Sequence, residues 1–228
     1  MLFRSLARLN GKPLIQVVWE RVAAAKRLDR LLIATDHSKV LKVAKQFGAE
    51  AVLTEESLTS GTDRVWAAVK DLDAEIILNI QGDEPLVTPT LVDRLAQALQ
   101  EDRKVQMATL RFPMKGLRGY ADPNVVKVVT DEEGWALYFS RSPVPAVRAE
   151  HQSPPVWYKH IGVYGYRRNC LKQFVQWPVS SLESAEKLEQ LRALEHGVRI
   201  KVLDSPVDTI GVDTPEDLHR VEEVLKDA

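Results

Sequence analysis

The stretch Glu75-Ile76-Ile77-Leu78-Asn79-Ile80 constrains the fold of this chain more than any other segment. It is nearly continuous in apolar residues, and segments of helical periodicity lie on both sides of it. A short strand without a polar face has to be covered on both faces, which is the situation of a parallel strand between two layers of helices. The neighbouring pattern agrees. Leu14, Val17, Val18 and Val22 recur at helical spacing, with Pro13 suited to the first turn. Leu31 to Ala34 is a short apolar run bounded by Thr35-Asp36. Helices are predicted over about 38–47, 62–72 and 88–100, and strands at 51–53 and 106–112. Alternating strands and helices predict a mostly parallel α/β sheet, flanked by helices and joined by right-handed crossovers. Ligands bind outside the carboxyl ends of such strands, which singles out the loops after residues 35, 80 and 210.

The second half has a different rhythm. Val125 to Val129 and Ala136 to Phe139 are β-rich around a turn at Glu133-Gly134. Residues 142–157 carry Pro143, Pro145, Pro154 and Pro155, too many for a central strand, and are predicted to form an arm. Ile161 to Tyr166 is predicted as a strand whose glycines allow close approach. Ser180 and Glu183 have capping-box spacing and open a helix predicted to run to about 196, stopped by Gly197. A last strand over 198–203 and a helix from Pro215 complete the pattern. At 228 residues, without an internal repeat or linker, the chain is expected to be a single domain over 1–228.

Composition removes several function classes. A net charge of -1 argues against a nonspecific nucleic-acid binder. The single cysteine, Cys170, cannot form an intrachain disulfide and fits a reducing compartment. No apolar run reaches the length of a membrane span, and the N-terminus lacks a signal peptide's apolar stretch. A cytoplasmic protein without membrane insertion is expected.

The chemistry-bearing residues fall near the strand ends. Asp83 and Glu84 follow the apolar strand in the loop Gln81-Gly82-Asp83-Glu84-Pro85, and Asp213 lies in Gly211-Val212-Asp213-Thr214-Pro215. Two fixed acids on two such loops could clamp one metal. Mg²⁺ favours one or two carboxylates plus substrate phosphates. An ordinary polar turn at Asp83, or a helix cap at Asp213 or Thr214, is the competing account. Ser60-Gly61-Thr62-Asp63-Arg64 precedes a helix, where exposed amides and Arg64 favour anions. His160 and Tyr164 are four apart and share one strand face. Arg141 follows another strand, and Glu189 and Gln190 are placed mid-helix.

Several ordered motifs resemble one family. They are Ala34-Thr35-Asp36-His37, Ser60 to Arg64, Asn79 to Pro85, Met107-Ala108-Thr109-Leu110, and Asp122-Pro123-Asn124 with Lys127. Tyr138-Phe139-Ser140-Arg141, Lys159 to Tyr166, Leu188 to Arg192 and Gly211 to Leu218 continue the series. From about residue 10 onward the chain resembles the 3-deoxy-manno-octulosonate (Kdo) cytidylyltransferases. The resemblance implies a nucleotide-diphospho-sugar-transferase-like (Rossmann-like) α/β fold with a β-rich arm, Mg²⁺ dependence and a homodimer. It implies transfer of CMP from CTP to Kdo, with release of pyrophosphate, for lipopolysaccharide assembly. Carried over, Asp83 and Asp213 hold Mg²⁺ as catalytic ligands. Ser60, Gly61, Thr62 and Arg64 lie by the nucleotide, and Gln81, Arg141, His160, Tyr164, Glu189 and Gln190 surround the sugar acid.

One segment departs from the family pattern. The family begins with a buried strand and a phosphate loop containing arginine and lysine, and Met1 to Leu9 do not spell that loop. Truncation or replacement at 1–9 is the expectation, with Arg4 and Arg8 poor substitutes on spacing. Two alternatives stay open: a non-catalytic binder of sugar acid or nucleotide, and a cytidylyltransferase for a related acid such as 8-amino Kdo or sialic acid.

Overall fold

The computed structural model describes residues 5–58, 60–117, 119–148 and 156–226. The chain divides into two compact units. The first comprises Met1–Ala74, Asn79–Gln97 and Asp208–Ala228; the second comprises Glu75–Leu78 and Ala98–Val207.

The first unit opens with a hairpin of β1 (Arg8–Leu9) and β2 (Lys12–Pro13). Asn10 and Gly11 join them at φ 49° and 81°. Two left-handed residues in succession make the type I′ turn that Asn-Gly favours. The hairpin carries Leu9 into a buried cluster with Leu14, Leu86, Val212 and Val221. Helix α1 (Leu14–Ala23) buries Leu14, Ile15, Val18 and Val22, the face its periodicity predicts with Ile15 added. Strands β3 (Ile33–Thr35) and β4 (Ala51–Leu53) pair in parallel, connected through α2 (Ser38–Gln46). The His37 ring caps α2, its Nδ1 accepting from Lys39 N at 3.1 Å. Helix α3 (Gly61–Val69) starts at Ser60, whose Oγ accepts from Asp63 N at 3.0 Å.

The second unit is built on a six-stranded sheet. Its members are β5 (Ile76–Asn79), β6 (Met107–Lys115), β7 (Lys127–Thr130), β8 (Ala136–Ser140), β9 (Val156–Arg167) and β10 (Ile200–Asp204). The order is β10-β6-β9-β7-β8, and β5 also pairs with β9. Pairing is mixed: β10 with β6 is parallel, while β6–β9, β7–β8 and β7–β9 are antiparallel. The antiparallel pairs come from the β-rich stretch that broke the strand–helix alternation. Helix α4 (Pro89–Glu101) links β5 to β6, and α5 (Arg168–Phe174) follows β9 directly.

The largest departures from the sequence reading are at β9 and after Ser180. Val156 and Trp157 belong to β9 rather than to the proline-rich arm; Trp157 is fully buried and its Nε1 donates to Gly116 O at 2.8 Å. Residues 149–155 of that arm lie outside the described residues. The helix expected from Ser180 to about 196 is two helices, α6 (Ser181–Glu186) and α7 (Gln190–Glu195). Lys187, at φ 53°, breaks them apart. The capping box of Ser180 and Glu183 forms as predicted. Helix α8 (Pro215–Lys226) ends the described chain.

The close approach expected of the β9 glycines occurs at Gly165. A Cβ there would lie 2.5 Å from Leu99 Cδ1 and 3.0 Å from Leu78 Cδ2, whereas one at Gly162 meets nothing within 4 Å. Gly165→Ala is therefore expected to destabilise the protein by about 1–3 kcal/mol through overpacking. Gly162→Ala is expected to stay within about 0.5 kcal/mol of the parent. Urea unfolding of the two variants checks the contrast.

Candidate active site

In the first unit the two acidic loops are joined through the backbone. Val212 N donates to Asp83 O at 2.8 Å. A Cβ on Gly211 would sit 3.4 Å from Glu84 Oε1 and 3.9 Å from Asp83 O, so the loops run in contact. Within the first loop Glu84 N donates to Gln81 O at 3.2 Å, closing a turn around Gly82 and Asp83. Gly82 answers a packing need: a Cβ there would lie 2.9 Å from Ile15 Cδ1. Of the two residues offered as a helix cap, Asp213 and Thr214, Thr214 takes that part. Thr214 Oγ1 accepts from Asp217 N at 3.2 Å, and Asp217 Oδ2 accepts from Thr214 N at 3.1 Å. That reciprocal pair caps α8, and Asp213 lies exposed just before it. Among the described residues no group of three or more His, Cys, Asp or Glu side chains assembles for a metal. A cation here would rest on Asp83, Asp213 and ligand oxygens. Such a donor set suits Mg²⁺, which keeps substrate and water oxygens, better than a metal that needs an all-protein cage.

A cavity of about 410 Å³ opens at the carboxyl end of β3. Its walls include Ile15, Ile33, Thr35, Asp36, His37 and Arg64. Its size is in the range of small-molecule sites. Arg64 is buried and bound on several sides. Its Nη2 pairs with Asp36 Oδ2 at 2.8 Å, Nη1 donates to Thr54 Oγ1, and the carbonyls of Glu55 and Leu58 accept at 3.3 Å. Its charge is thus already balanced by Asp36 in the protein. Thr62 is buried beside it on α3, and the Gly61 Cα faces Gln81: a Cβ added there would lie 3.6 Å from Gln81 Nε2.

The second unit gathers the other predicted residues. His160 and Tyr164 are neighbours on β9, with ring centroids 5.5 Å apart, and Phe139 meets His160 edge-on at 4.9 Å. Burial drives the His160 pKa down to about 3, so the ring is neutral at physiological pH. Burial, and next the Glu189 carboxylate, raise that of Tyr164, which remains a phenol and a donor. Arg141 is fixed by Glu186 and its neighbours. Its Nε donates to Glu186 O at 2.7 Å, Nη1 to Pro123 O at 2.8 Å and Nη2 to Lys187 O at 3.4 Å. These bonds use three of the five guanidinium N–H groups and leave one on each Nη nitrogen.

Glu189 and Gln190 are not mid-helix as the sequence reading has them. Glu189 precedes α7 and Gln190 is its first residue. The break at Lys187 frees the carbonyls that Arg141 takes up, which explains why the helix stops there. Gln190 is 4% exposed, and its Nε2 finds no hydrogen-bond partner among the described residues. A buried amide donor of that kind is stable when a ligand completes it. Arg192 anchors this turn: Nε and Nη2 form a fork on Glu183 at 2.7 and 2.6 Å.

The comparisons with known proteins meet this geometry. The cytidylyltransferase family model matches residues 4–200. A 3-deoxy-manno-octulosonate cytidylyltransferase of Syntrophobacter fumaroxidans is 51% identical over 225 residues, covering 97% of this chain and 90% of its own. This chain belongs to that family. A second such enzyme, from Geotalea daltonii, is 46% identical and covers 98% of this chain and 92% of its own. A solved CMP:2-keto-3-deoxy-manno-octonic acid synthetase complexed with CTP superposes at a TM-score of 0.92, with 37% identity over 98% of this chain and 92% of that one. The fold is therefore the α/β nucleotidyltransferase fold with a mixed sheet. No helix among the described residues is long and apolar enough to cross a membrane.

Around the family motifs, the structure adds supporting contacts that the sequence did not disclose. Asp36 holds Arg64, Glu186 holds Arg141, Glu183 holds Arg192, and Thr109 touches His160. Thr109 had a visible signal, a hydroxyl within the apolar run Met107 to Leu110; the others are acids on helices or loops, where a solvated acid is the ordinary case. Glu183 and Arg192 are only 11% and 6% exposed. Removing one partner of such a buried pair costs about 3–5 kcal/mol, and Glu183→Gln is expected to fall near the lower end. Burial raises the Glu183 pKa, but the Arg192 and Ser180 hydrogen bonds outweigh it and the net shift is downward. A lowered carboxylate pKa stabilises above the unfolded pKa and loses that contribution as pH falls through the folded one. The stability gap between parent and Glu183→Gln should thus narrow between pH ~5 and ~3, as chemical denaturation across that range would reveal.

Proposed function

We propose that this chain transfers CMP from CTP to Kdo, releasing pyrophosphate, as the step that activates this sugar acid for lipopolysaccharide assembly. The observation that carries the reading is the 51% identity to a 3-deoxy-manno-octulosonate cytidylyltransferase over nearly the full length of both chains. Supporting it, the second unit presents a sugar-acid set of complementary chemistry. Arg141 retains two N–H groups on separate Nη nitrogens for a carboxylate, a two-point arrangement suited to guanidinium. Tyr164, Gln190 and His160 supply a phenol, a buried amide and a neutral ring for hydroxyl groups, with Glu189 as a further polar contact; Gln81 belongs to the first unit.

The nucleotide falls to the first unit. Arg64 lines the cavity at the end of β3, its charge balanced by Asp36, and Ser60, Gly61 and Thr62 at the start of the same helix are read as its companions at the nucleotide. Asp83 and Asp213 would hold Mg²⁺, which would supply neutralisation of phosphate charge. In the reaction the anomeric hydroxyl oxygen of Kdo forms a bond to the α-phosphorus. The bond from that phosphorus to the bridging oxygen breaks, pyrophosphate leaves and the hydroxyl proton passes to solvent. The protein's part is positioning and charge balance, and no covalent nucleophile is required. The reading extends to the cytoplasm and, as the family resemblance implies, to a homodimer.

Pyrophosphate release from CTP with Mg²⁺ is expected with Kdo and weaker with 8-amino Kdo or sialic acid. CTP binding without release would favour a non-catalytic binder, and a preference for another acid would reassign the substrate. Asp83→Asn and Asp213→Asn are each expected to lower kcat at least ~100-fold with an unchanged unfolding midpoint, as loss of a metal ligand should. Chelation should abolish turnover reversibly; near-normal turnover in either variant overturns the metal assignment. Light scattering should give twice the chain mass.

A further inference from the structure

Thr109 sits at the point where the register of β6 against β9 shifts, and it is fully buried. Its Oγ1 lies 2.8 Å from Val163 O, 3.1 Å from Ile161 O and 3.0 Å from His160 Nε2. A threonine hydroxyl has one proton to donate and lone pairs that accept. Carbonyl oxygens only accept, so the proton goes to one of the two carbonyls. The contact with His160 then runs the other way, with Nε2–H donating to Oγ1. The reverse arrangement would set the lone pairs of Oγ1 against both carbonyl oxygens at these distances. A neutral imidazole has one N–H and one bare nitrogen. Nδ1 is therefore the bare one, and it makes no hydrogen bond with any described residue. Phe139 edge-on and Tyr164 on the other side hold the ring in place. Burial, which keeps the ring neutral, agrees.

We propose that Thr109 is a positioning residue that locks His160 as the Nε2–H tautomer, so that Nδ1 accepts a hydrogen bond from a hydroxyl group of the sugar acid. The identity of the ligand rests on the function proposed above; the tautomer does not. A bare ring nitrogen repels a carboxylate and attracts a hydroxyl proton. It complements the donor-only guanidinium of Arg141 and the buried Gln190 Nε2. At the position it faces, this acceptor favours a hydroxyl over an ether or a fluorine.

The test uses the full chain with ¹⁵N-labelled histidine. Long-range proton–nitrogen correlation at neutral pH reads the tautomer of each ring, and the His160 signals are assigned by their loss in His160→Gln. A protonated-type Nε2 and a bare-type Nδ1 are expected; a protonated Nδ1 or an averaged pair overturns the proposal. Thr109→Val should lose the fixed pattern and raise KM for Kdo about tenfold, the worth of one hydrogen bond, with KM for CTP within about twofold. Thr109→Ser should keep the pattern and return KM for Kdo to within about threefold of the parent. Equal losses on both substrates, or a Val variant with the His160 pattern unchanged, overturn the positioning role. Should the chain turn over no CTP with Kdo at all, the proposed function fails, while the spectrum of the parent still decides the tautomer.

Discussion

The antiparallel pairing of β6 with β9 is the interaction on which the second unit depends. It runs from Met107 opposite Tyr166 to Lys115 opposite Val156. Strand β9 also bonds β5 and β7, so its position sets that of most of the sheet. The pairing is not uniform: Thr109 faces Tyr164 while the next residue, Leu110, faces Ile161. Two residues of β9, Gly162 and Val163, are thereby left without an opposite number. An insertion of two keeps the alternation of faces, because side chains repeat every two residues along a strand. His160 and Tyr164 therefore stay on one face and their rings meet. The extra residues also turn the Ile161 and Val163 carbonyls toward the Thr109 hydroxyl, so the irregularity is filled by a polar group rather than by a void.

A second layer of order comes from side chains that satisfy backbone groups far away in sequence. The turn at Lys187 leaves helix carbonyls without intrahelical partners, and Arg141 reaches two of them from 45 residues away. Glu186 returns the favour, accepting from Ser140 Oγ at 2.6 Å and Arg141 N at 2.9 Å. Lys127 completes the arrangement: its fully buried ammonium donates to the carbonyls of Asp122, Val125 and Arg141. A buried charge is tolerable when each of its donors is matched in this way. Together these contacts fix the end of β8, the break between α6 and α7, and hence the positions of Arg141, Glu189 and Gln190.

These two layers explain what the sequence could and could not disclose. Apolar periodicity marked α1 because that helix buries one face, written in its own spacing, whereas the buried residues of α3 are the polar Thr62 and Arg64. The Ser180–Glu183 capping box was legible for the same reason, being local. The break at Lys187 was not, since the groups that favour it belong to Arg141, and helical periodicity passes through the interruption unchanged. Strand β9 was predicted at half its length because its first residues adjoin the prolines that precede them. The hairpin at Asn10-Gly11 had a sufficient local signal, the dipeptide of a type I′ turn, which carries more weight than the absence of a family loop around it. Of the candidate site, residue identities were legible through ordered motifs, whereas their supports, Asp36, Thr109, Glu183 and Glu186, depend on contacts that only the fold creates.

Charge is distributed unevenly in the first unit, and this bears on how a triphosphate would be met. Arg64 is the buried cation at the cavity, yet Asp36 lies 2.8 Å from it and the remaining contacts are to oxygen acceptors of the protein. A guanidinium so engaged contributes little net field, because its partner's charge cancels it at short range. Arg8 donates to Gly11 O within the hairpin and is exposed, where water screens its charge. The acids behave in the opposite sense: Asp83 and Asp213 stand on loops tied by the Val212–Asp83 backbone bond, and α8 is capped by Thr214 with Asp217, whose Oδ2 also accepts from Asp213 N at 3.3 Å. Two carboxylates beside an anionic ligand repel it unless a cation intervenes. Under the proposed function, a cation would have to stand between these two carboxylates and the phosphates.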